Sequence, residues 1–181
     1  MSLHHDFYVQ PMNQVYIETI AIYLIWTVAM FLLRGKARRI VGIIGASLAV
    51  ILVLTFTVLG RGNENAREIS LIPFISFENA KVQPELYRTM FMNMLLFMPL
   101  GLSLPYALPD KLKYKALLTI LIGIGLSIAV EVVQYVFSLG KCETDDVLMN
   151  TLGVMIGVTS YLIIRLLSRK HWLITPESHV N

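Results

Sequence analysis

The chain has 181 residues, of which 56% are hydrophobic and 15% are charged, and its mean hydropathy is +0.66. Composition this apolar excludes an ordinary soluble domain and indicates an integral membrane protein. The net charge of +3 does not indicate a nucleic-acid partner, because the cations lie in short clusters beside apolar runs, as membrane orientation requires. Cys142 is the single cysteine, so an internal disulfide is excluded.

The amino-terminal residues 1–16 are polar and are expected to form an extracytoplasmic tail. His4, His5 and Asp6 lie together there, but a free terminus does not hold ligands in place, so we expect no metal site. The first apolar run begins near Ile17, with no basic segment before it and no small-residue cleavage site after it. We therefore expect this run to remain as a membrane span and not to be removed as a signal peptide.

Apolar runs separated by charged turns predict an all-α integral membrane protein with a bundle of about five transmembrane helices. The predicted spans are residues 17–33, 40–59, 89–108, 116–137 and 145–167, within a transmembrane domain at 17–168. Gly42 and Gly45 give the second span a face for close packing, and Pro99 is expected to kink the third.

Residues 60–88 are polar and mixed in charge, apart from the apolar run Leu71-Ile72-Pro73-Phe74. This run is too short to span and contains proline, so we expect it at the membrane interface or folded back onto the bundle, with a short helix nearby. The alternative is a segment that re-enters the membrane as a half-hairpin around Pro73. In either case it lies between the second and third spans.

Small and polar side chains form one stripe on each of the last two spans. The fourth span carries Gly123, Ser127, Glu131, Gln134 and Ser138 at helical spacing, and the fifth carries Asp146, Asn150, Gly153 and Gly157. We expect the stripes to face the bundle and to meet, with Gly123, Ser127, Gly153 and Gly157 serving helix packing. Glu131 is the only charged residue within its span, where an acidic side chain costs about 2.5–3.5 kcal/mol, so it marks a site.

Basic residues cluster on one side of the five predicted spans. They are Arg34, Lys36, Arg38, Arg39, Lys111, Lys113, Lys115, Arg165, Arg169 and Lys170. Most of the acids lie on the other side, so the positive-inside rule predicts an amino terminus outside and a cytoplasmic tail at residues 169–181. This orientation places Glu131 near the outer surface.

These predictions bring one set of polar residues together at the outer end of the bundle. The set is Arg61, Arg67, Asn93, Glu131, Gln134, Asp145, Asp146 and Asn150. Three carboxylates this close need a cation, an arginine or a raised pKa, and Arg61, ranked above Arg67, is the expected partner of Glu131. Alternatively, the set is a buried network that fastens the helices, with Asp145 and Asp146 at the amino-terminal end of the last helix.

The chemistry of this set stays open. A carboxylate acid/base pair is possible, and so is a cation held by oxygen ligands, but the sequence contains no metal or nucleotide fingerprint. Catalytic residues are therefore unassigned, and no cofactor or metal is predicted. Cys142 lies in a turn with no histidine near it in sequence, which argues against a reactive thiol.

Several of these residues fall into short motifs with a recognisable order and spacing. The motifs are Arg61, Leu71-Ile72-Pro73-Phe74, Asn93-Met-Leu-Leu-Phe-Met-Pro99-Leu-Gly101, Glu131-Val-Val-Gln134, and Asp145-Asp146 followed by Asn150-Thr151-Leu152-Gly153 and Gly157. Over roughly residues 60–160 the chain therefore resembles the VanZ-like family of small bacterial membrane proteins. It departs from that pattern at Ser70, where the family often has asparagine. It also departs at Lys141 and Cys142, in a region where arginine is common, which exchanges a bidentate donor for a point charge.

The resemblance implies a multi-pass protein of the bacterial cytoplasmic membrane with a role in low-level resistance to glycopeptide antibiotics of the teicoplanin type. One hypothesis is a non-enzymatic factor at the outer leaflet, whose partners besides the lipid bilayer are a lipoglycopeptide antibiotic or a lipid-linked cell-wall precursor. The other is a membrane enzyme that acts on a lipid-linked or lipid head-group substrate through Glu131, Asp145 and Asp146. The missing nucleophile motif favours the first hypothesis, and the three converging acids favour the second.

Overall fold

Helices form nearly all of the structure, a computed structural model that describes residues 12–59 and 68–174, with side chains for 14–59 and 68–168. The helices are α1 (Met12–Leu32), α2 (Gly35–Leu54), α3 (Ile75–Ala80), α4 (Glu85–Ala107), α5 (Lys115–Val136) and α6 (Thr144–Ile174). A π-helical turn, Thr55–Leu59, continues α2. Five helices, all except α3, are long and apolar enough to cross a membrane, which confirms the predicted all-α membrane bundle.

The helix boundaries differ from the predicted spans mainly at the two ends of the chain. Helix α1 begins at Met12, inside the segment predicted as a polar tail, and α6 continues to Ile174, beyond the predicted end at 167. In both places polar residues extend a helix whose apolar part alone was recognised in the sequence. The predicted tail residues His4, His5 and Asp6 lie outside the described residues.

Helix α4 is the centre of the bundle. It packs against α6 on one side and α2 on the other and is the most buried of the spans, whereas α1 is the least buried. The contact with α6 is close because both helices carry glycine there. A Cβ atom on Gly153 would overlap the carbonyl oxygen of Met94, and one on Gly157 would overlap that of Met98. Contact of this kind between helix backbones is typical of small-residue motifs in membranes.

The two small-residue stripes therefore meet only in part. On α5, Gly123 packs on the side chain of Val154, and Ser127 bonds to Asn150 of α6. Gly153 and Gly157, however, face α4 and not α5. A glycine pattern shows that a close neighbour exists without saying which helix it is.

A pair of short strands connects the segment before α3 to the turn between α5 and α6. Strand β1 (Ile69–Ser70) runs parallel to β2 (Cys142–Glu143), with Ile69 opposite Cys142 and Ser70 opposite Glu143. The sequence predicted a loop with a short helix here; α3 is that helix, and the strands were not predicted.

The apolar run between β1 and α3 projects away from the bundle. Leu71, Ile72 and Phe74 expose 73%, 65% and 62% of their surface. These side chains therefore do not pack on the helices, although the backbone of the run is attached to the bundle at Phe74. An apolar surface at the end of a membrane bundle suits the interfacial region of the bilayer.

Candidate functional site: a buried acidic cluster at one end of the bundle

Four chain segments meet at one end of the bundle: the π-helical turn after α2, the segment 68–80, the carboxyl end of α5 and the amino end of α6. Of the predicted site residues, Asn93, Glu131, Gln134, Asp145, Asp146 and Asn150 are all buried there, exposing between 1% and 8% of their surface. Arg61 and Arg67 lie outside the described residues, so the pairing of Glu131 with Arg61 stays a prediction. We call the buried residues Glu131, Gln134, Asp145, Asp146 and Asn150, together with Glu143, the acidic cluster.

Asp145 holds the start of helix α3. One of its carboxylate oxygens accepts the backbone N–H of Phe74 at 2.6 Å, and the other accepts that of Ser76 at 2.8 Å. These are amide groups that a helix amino terminus cannot satisfy within itself, so an acid from another helix serves as the cap. Asp145 also lies in the first turn of α6, where a negative charge is favourable. The alternative of a fastening network placed Asp145 at the amino-terminal end of its own helix, and the two hydrogen bonds of its carboxylate go to the start of α3.

Glu131 and Glu143 continue this network. Glu131 Oε2 accepts the backbone N–H of Glu143 at 3.0 Å, and Glu143 Oε2 accepts the hydroxyl of Ser76, also at 3.0 Å. Glu131 and Asp146 each take part in a further interaction as well. The acids are therefore bonded to the strand and helix segments around them, as a fastening network requires.

Glu143 was missed when the sequence alone was considered. It stands directly before the Thr144-Asp145-Asp146 helix start, but it was read as part of a plain turn. Its role depends on the pairing of β2 with β1, in which Glu143 lies opposite Ser70 although the two strands are far apart in the sequence. Period-two alternation cannot be recognised in two residues.

Two side-chain amides of the cluster each have a carbonyl oxygen that receives no hydrogen bond from the described residues. Gln134 Nε2 donates to the carbonyl of Thr57 at 2.8 Å, in the π-helical turn, and Asn150 Nδ2 donates to Ser127 Oγ at 2.9 Å. Gln134 Oε1 and Asn150 Oδ1 are buried and have no hydrogen-bond donor in the structure as described. Buried polar atoms of this kind are unusual and are suited to a ligand that brings a donor.

The turn between α5 and α6 contains the two positions that depart from the family pattern. Lys141 Nζ lies 2.6 Å from Glu68 Oε2, and the Cys142 backbone N–H donates to the Glu68 carbonyl at 2.9 Å. Burial raises the pKa of the Cys142 thiol, and the negative charge of Glu131 raises it further. A raised pKa disfavours the thiolate, which agrees with the expectation that this cysteine is not a nucleophile.

Ser70, the other departure, contributes through its backbone. The Ser70 carbonyl accepts the hydroxyl of Thr144 at 3.3 Å, and the residue pairs with Glu143 in the strand ladder.

Within residues 12–59 and 68–174, no three His, Cys, Asp or Glu side chains are grouped so that they could hold a metal ion. The cation-site alternative therefore lacks such a group in the described part of the chain.

Asn93 takes a different position from the other predicted residues. It lies on the wall of a cavity between α1, α2 and α4. Thr57, whose carbonyl accepts the hydrogen bond from Gln134 Nε2, lies on the same wall. Thr57 thus separates the cavity from the acidic cluster. Asn93 lies on the cavity side of this boundary.

Comparisons with known proteins agree with the motifs. The sequence model of the family described as VanZ/LLP1 matches residues 41–165, which include most of α2, all of α3 to α5 and most of α6. Among curated proteins, the chain is similar to "Protein VanZ" of Enterococcus faecium, with 29% identity over 122 residues, 67% of each chain. No solved structure matches the chain.

Proposed function

Because the chain belongs to the VanZ/LLP1 family, whose model covers residues 41–165, we propose that it contributes to resistance against glycopeptide antibiotics of the teicoplanin type. It acts at the outer leaflet of the bacterial cytoplasmic membrane, by changing how the antibiotic or its lipid-linked wall precursor meets the membrane surface. The observation that carries a non-enzymatic role is the state of Asp145, whose two carboxylate oxygens both accept backbone N–H groups.

A general acid or base must direct a free lone pair or proton at its substrate. Asp145 uses its oxygens on Phe74 and Ser76, and Glu131 Oε2 is used on Glu143. These bonds support a role in which the acids shape the end of the bundle. The segment that they hold carries the exposed apolar run Leu71-Ile72-Pro73-Phe74, so they fix a membrane-facing surface beside the cluster.

The charge distribution supports the orientation that this role needs. Lys36 lies at the start of α2 and Lys113 between α4 and α5, both at the end of the bundle opposite the acidic cluster. The positive-inside rule then puts the cluster on the extracytoplasmic side. Single cysteines introduced at 36 and 113 should resist a membrane-impermeant thiol reagent in intact cells, while Cys142 is replaced by serine. External labelling at either position contradicts the orientation.

Antibiotic susceptibility is the direct test of the proposed function. Expression in a susceptible Gram-positive host should raise the inhibitory concentration of teicoplanin, whereas that of a β-lactam should not change. Glu131→Gln, at equal membrane abundance, should remove the effect. Teicoplanin susceptibility that stays the same with and without the native chain overturns the proposal for this protein.

A membrane enzyme acting on a lipid-linked or head-group substrate is the second candidate. Gln134 Oε1 and Asn150 Oδ1 favour it, because a substrate hydroxyl or ammonium group would supply the donor that these buried acceptors lack among the described residues. The test compares membrane lipids and wall precursors in cells that express the native chain or Glu131→Gln. A product present only with the native chain supports the enzyme; identical profiles reject it.

A further inference from the structure

A cavity of about 600 Å³ lies between α1, α2 and α4. Its floor is formed by buried residues, among them Ala49 and Leu95, which expose 1% and 4% of their surface. Its rim is formed by Ile22, Leu48 and Leu52, which are about half exposed or more. Because these rim residues belong to spans that cross the membrane, the cavity opens sideways into the hydrocarbon of the bilayer.

Helix α1 forms the outer wall and is held at a fixed distance by two polar contacts. Tyr23 donates its hydroxyl hydrogen to Ser160 Oγ at 2.8 Å, and Trp26 Nε1 donates to Ser103 Oγ at 3.0 Å. Gly45 makes room for Trp26, since a Cβ atom there would overlap the indole ring. The space between α1 and α2 is therefore built by specific contacts, and it is not merely loose packing of a peripheral helix.

The polar groups of the wall are nearly all turned away from the cavity. Thr19 Oγ1 donates to the Val15 carbonyl at 2.8 Å, and Thr57 Oγ1 donates to the Val53 carbonyl at 2.6 Å, so both threonines present methyl groups. Among the described residues of the wall, the remaining polar side chain is that of Asn93. The cavity thus has a long apolar surface and one amide near the end that adjoins the acidic cluster.

The dimensions of the cavity select its occupant. Along α2 its wall extends from Gly45 to Thr57, which at about 1.5 Å per residue is a rise of roughly 18 Å. Half of a hydrocarbon core that is about 30 Å thick is close to this length. Its volume is within the roughly 300–1,000 Å³ of typical ligand sites. A chain as long as one leaflet fits, and a much longer polyprenyl chain does not.

We propose that this cavity binds one acyl chain of a glycerophospholipid from the leaflet that contains the acidic cluster. The chain lies along Ala49 and Leu95 between α1 and α2. Its ester region reaches Asn93, whose amide donates to an ester carbonyl. This site does not depend on the proposed role in resistance, because the contacts that form it involve neither Glu131 nor an antibiotic.

Photochemical cross-linking of a lipid tests the site. The purified chain is placed in phosphatidylcholine vesicles that contain phosphatidylcholine with a diazirine on one acyl chain, so that a net head-group charge plays no part. After illumination, the labelled positions are mapped by mass spectrometry. We expect labels on Ala49 and Leu95, which the bulk bilayer does not reach. Labels confined to outward-facing residues such as Ile44 and Ile51 overturn the proposal.

A matched pair of double variants separates the cavity from ordinary lipid contact. Leu48→Trp with Leu52→Trp narrows the rim and should abolish most labelling of the floor. Ile44→Trp with Ile51→Trp adds the same bulk to the same helix, at residues outside the cavity wall that expose 49% and 57% of their surface, and should leave that labelling unchanged. Equal labelling in the two pairs overturns the site.

Competition distinguishes the occupants. An undecaprenyl phosphate or teicoplanin, added at equal mole fraction, should displace the probe from the floor no more than the same added amount of unlabelled phosphatidylcholine does. Stronger displacement by an undecaprenyl phosphate or by teicoplanin contradicts the assignment to a phospholipid chain. Asn93→Leu should reduce displacement by the diacyl lipid while floor labelling by a head-group-free diazirine fatty alcohol is retained, as the ester contact requires. Susceptibility to teicoplanin is a separate readout, so failure of the resistance role leaves these results standing.

Discussion

Replacing Asp145 by asparagine should release helix α3 from the bundle while the membrane spans stay intact. The carboxylate accepts two backbone N–H groups, from Phe74 and Ser76. Asparagine has one acceptor oxygen, and its NH₂ group would face the other N–H as a second donor. Phe74 also has a φ of 66°, a left-handed conformation that costs a non-glycine residue about 1–3 kcal/mol. Without the second bond, this strain favours release.

The magnitude follows from the bond that is lost. A hydrogen bond to a charged group contributes about 1.5–3 kcal/mol, and the remaining bond becomes one to a neutral oxygen. Since each 1.4 kcal/mol is about a tenfold change in an equilibrium constant, local opening around Phe74 and Ser76 should be roughly ten- to one-hundred-fold more frequent. The membrane spans do not depend on these bonds, so their exchange should not change.

Hydrogen exchange in nanodiscs measures this opening. The amides of Phe74 and Ser76 should exchange faster in Asp145→Asn than in the native chain, and amides in the middle of α4 should not. Asp110→Asn is the matched control, because Asp110 is also paired, with Lys115 at 2.9 Å, but its side chain is 86% exposed and the interaction is screened by solvent. Unchanged exchange at Phe74 and Ser76 in Asp145→Asn refutes the capping role.

Three further predictions concern other parts of the molecule. Gly157→Ala should lower the free energy of unfolding by about 1–3 kcal/mol, because the added methyl group meets the α4 backbone. Gly125 has nothing within 4 Å of an added Cβ atom, so Gly125→Ala should be neutral or slightly stabilising in the same melting assay. Cys142 should react with iodoacetamide more slowly than glutathione at pH 8, since a raised pKa leaves less thiolate, and an equal rate contradicts the shielding. If Arg61 is the partner of Glu131, Arg61→Ala should abolish activity, and adding Glu131→Gln should restore folding more than function; full activity in Glu131→Gln alone reduces the site to structural support.

Much of the fold was predictable because a membrane span has a strong signature in sequence. Long apolar runs with charged ends identify the helices, and no competing structure satisfies backbone groups in hydrocarbon. Small and polar residues at helical spacing identified the buried faces of α5 and α6, and the burial of Glu131, Gln134 and Asn150 agrees with them. What such a face cannot specify is its neighbour, and Gly153 and Gly157 of α6 pack against α4 and not against α5.

The part that was not predictable depends on contacts between distant segments. Strand β1 pairs with β2 through only two residues each, and Asp145 caps a helix that begins some 70 positions before it. Neither relation leaves a periodic pattern in the sequence. The cavity has the same origin, since its shape results from where Tyr23 and Trp26 hold α1 against α6 and α4.

Thr57 lies between the acidic cluster and the apolar cavity and contacts both. Its carbonyl is held by Gln134 in the acidic cluster, and its methyl group lines the apolar cavity. Thr57 lies in the last turn of the π-helical segment that continues α2, where helix carbonyls have no partner within the helix, so its carbonyl is available to Gln134. A lipid whose chain occupies the cavity therefore places its polar part beside Asn93, within the same end of the bundle as Glu131. If the proposed orientation holds, a lipid bound in this way would lie beside the acidic cluster at the outer leaflet, where the proposed role in resistance requires it.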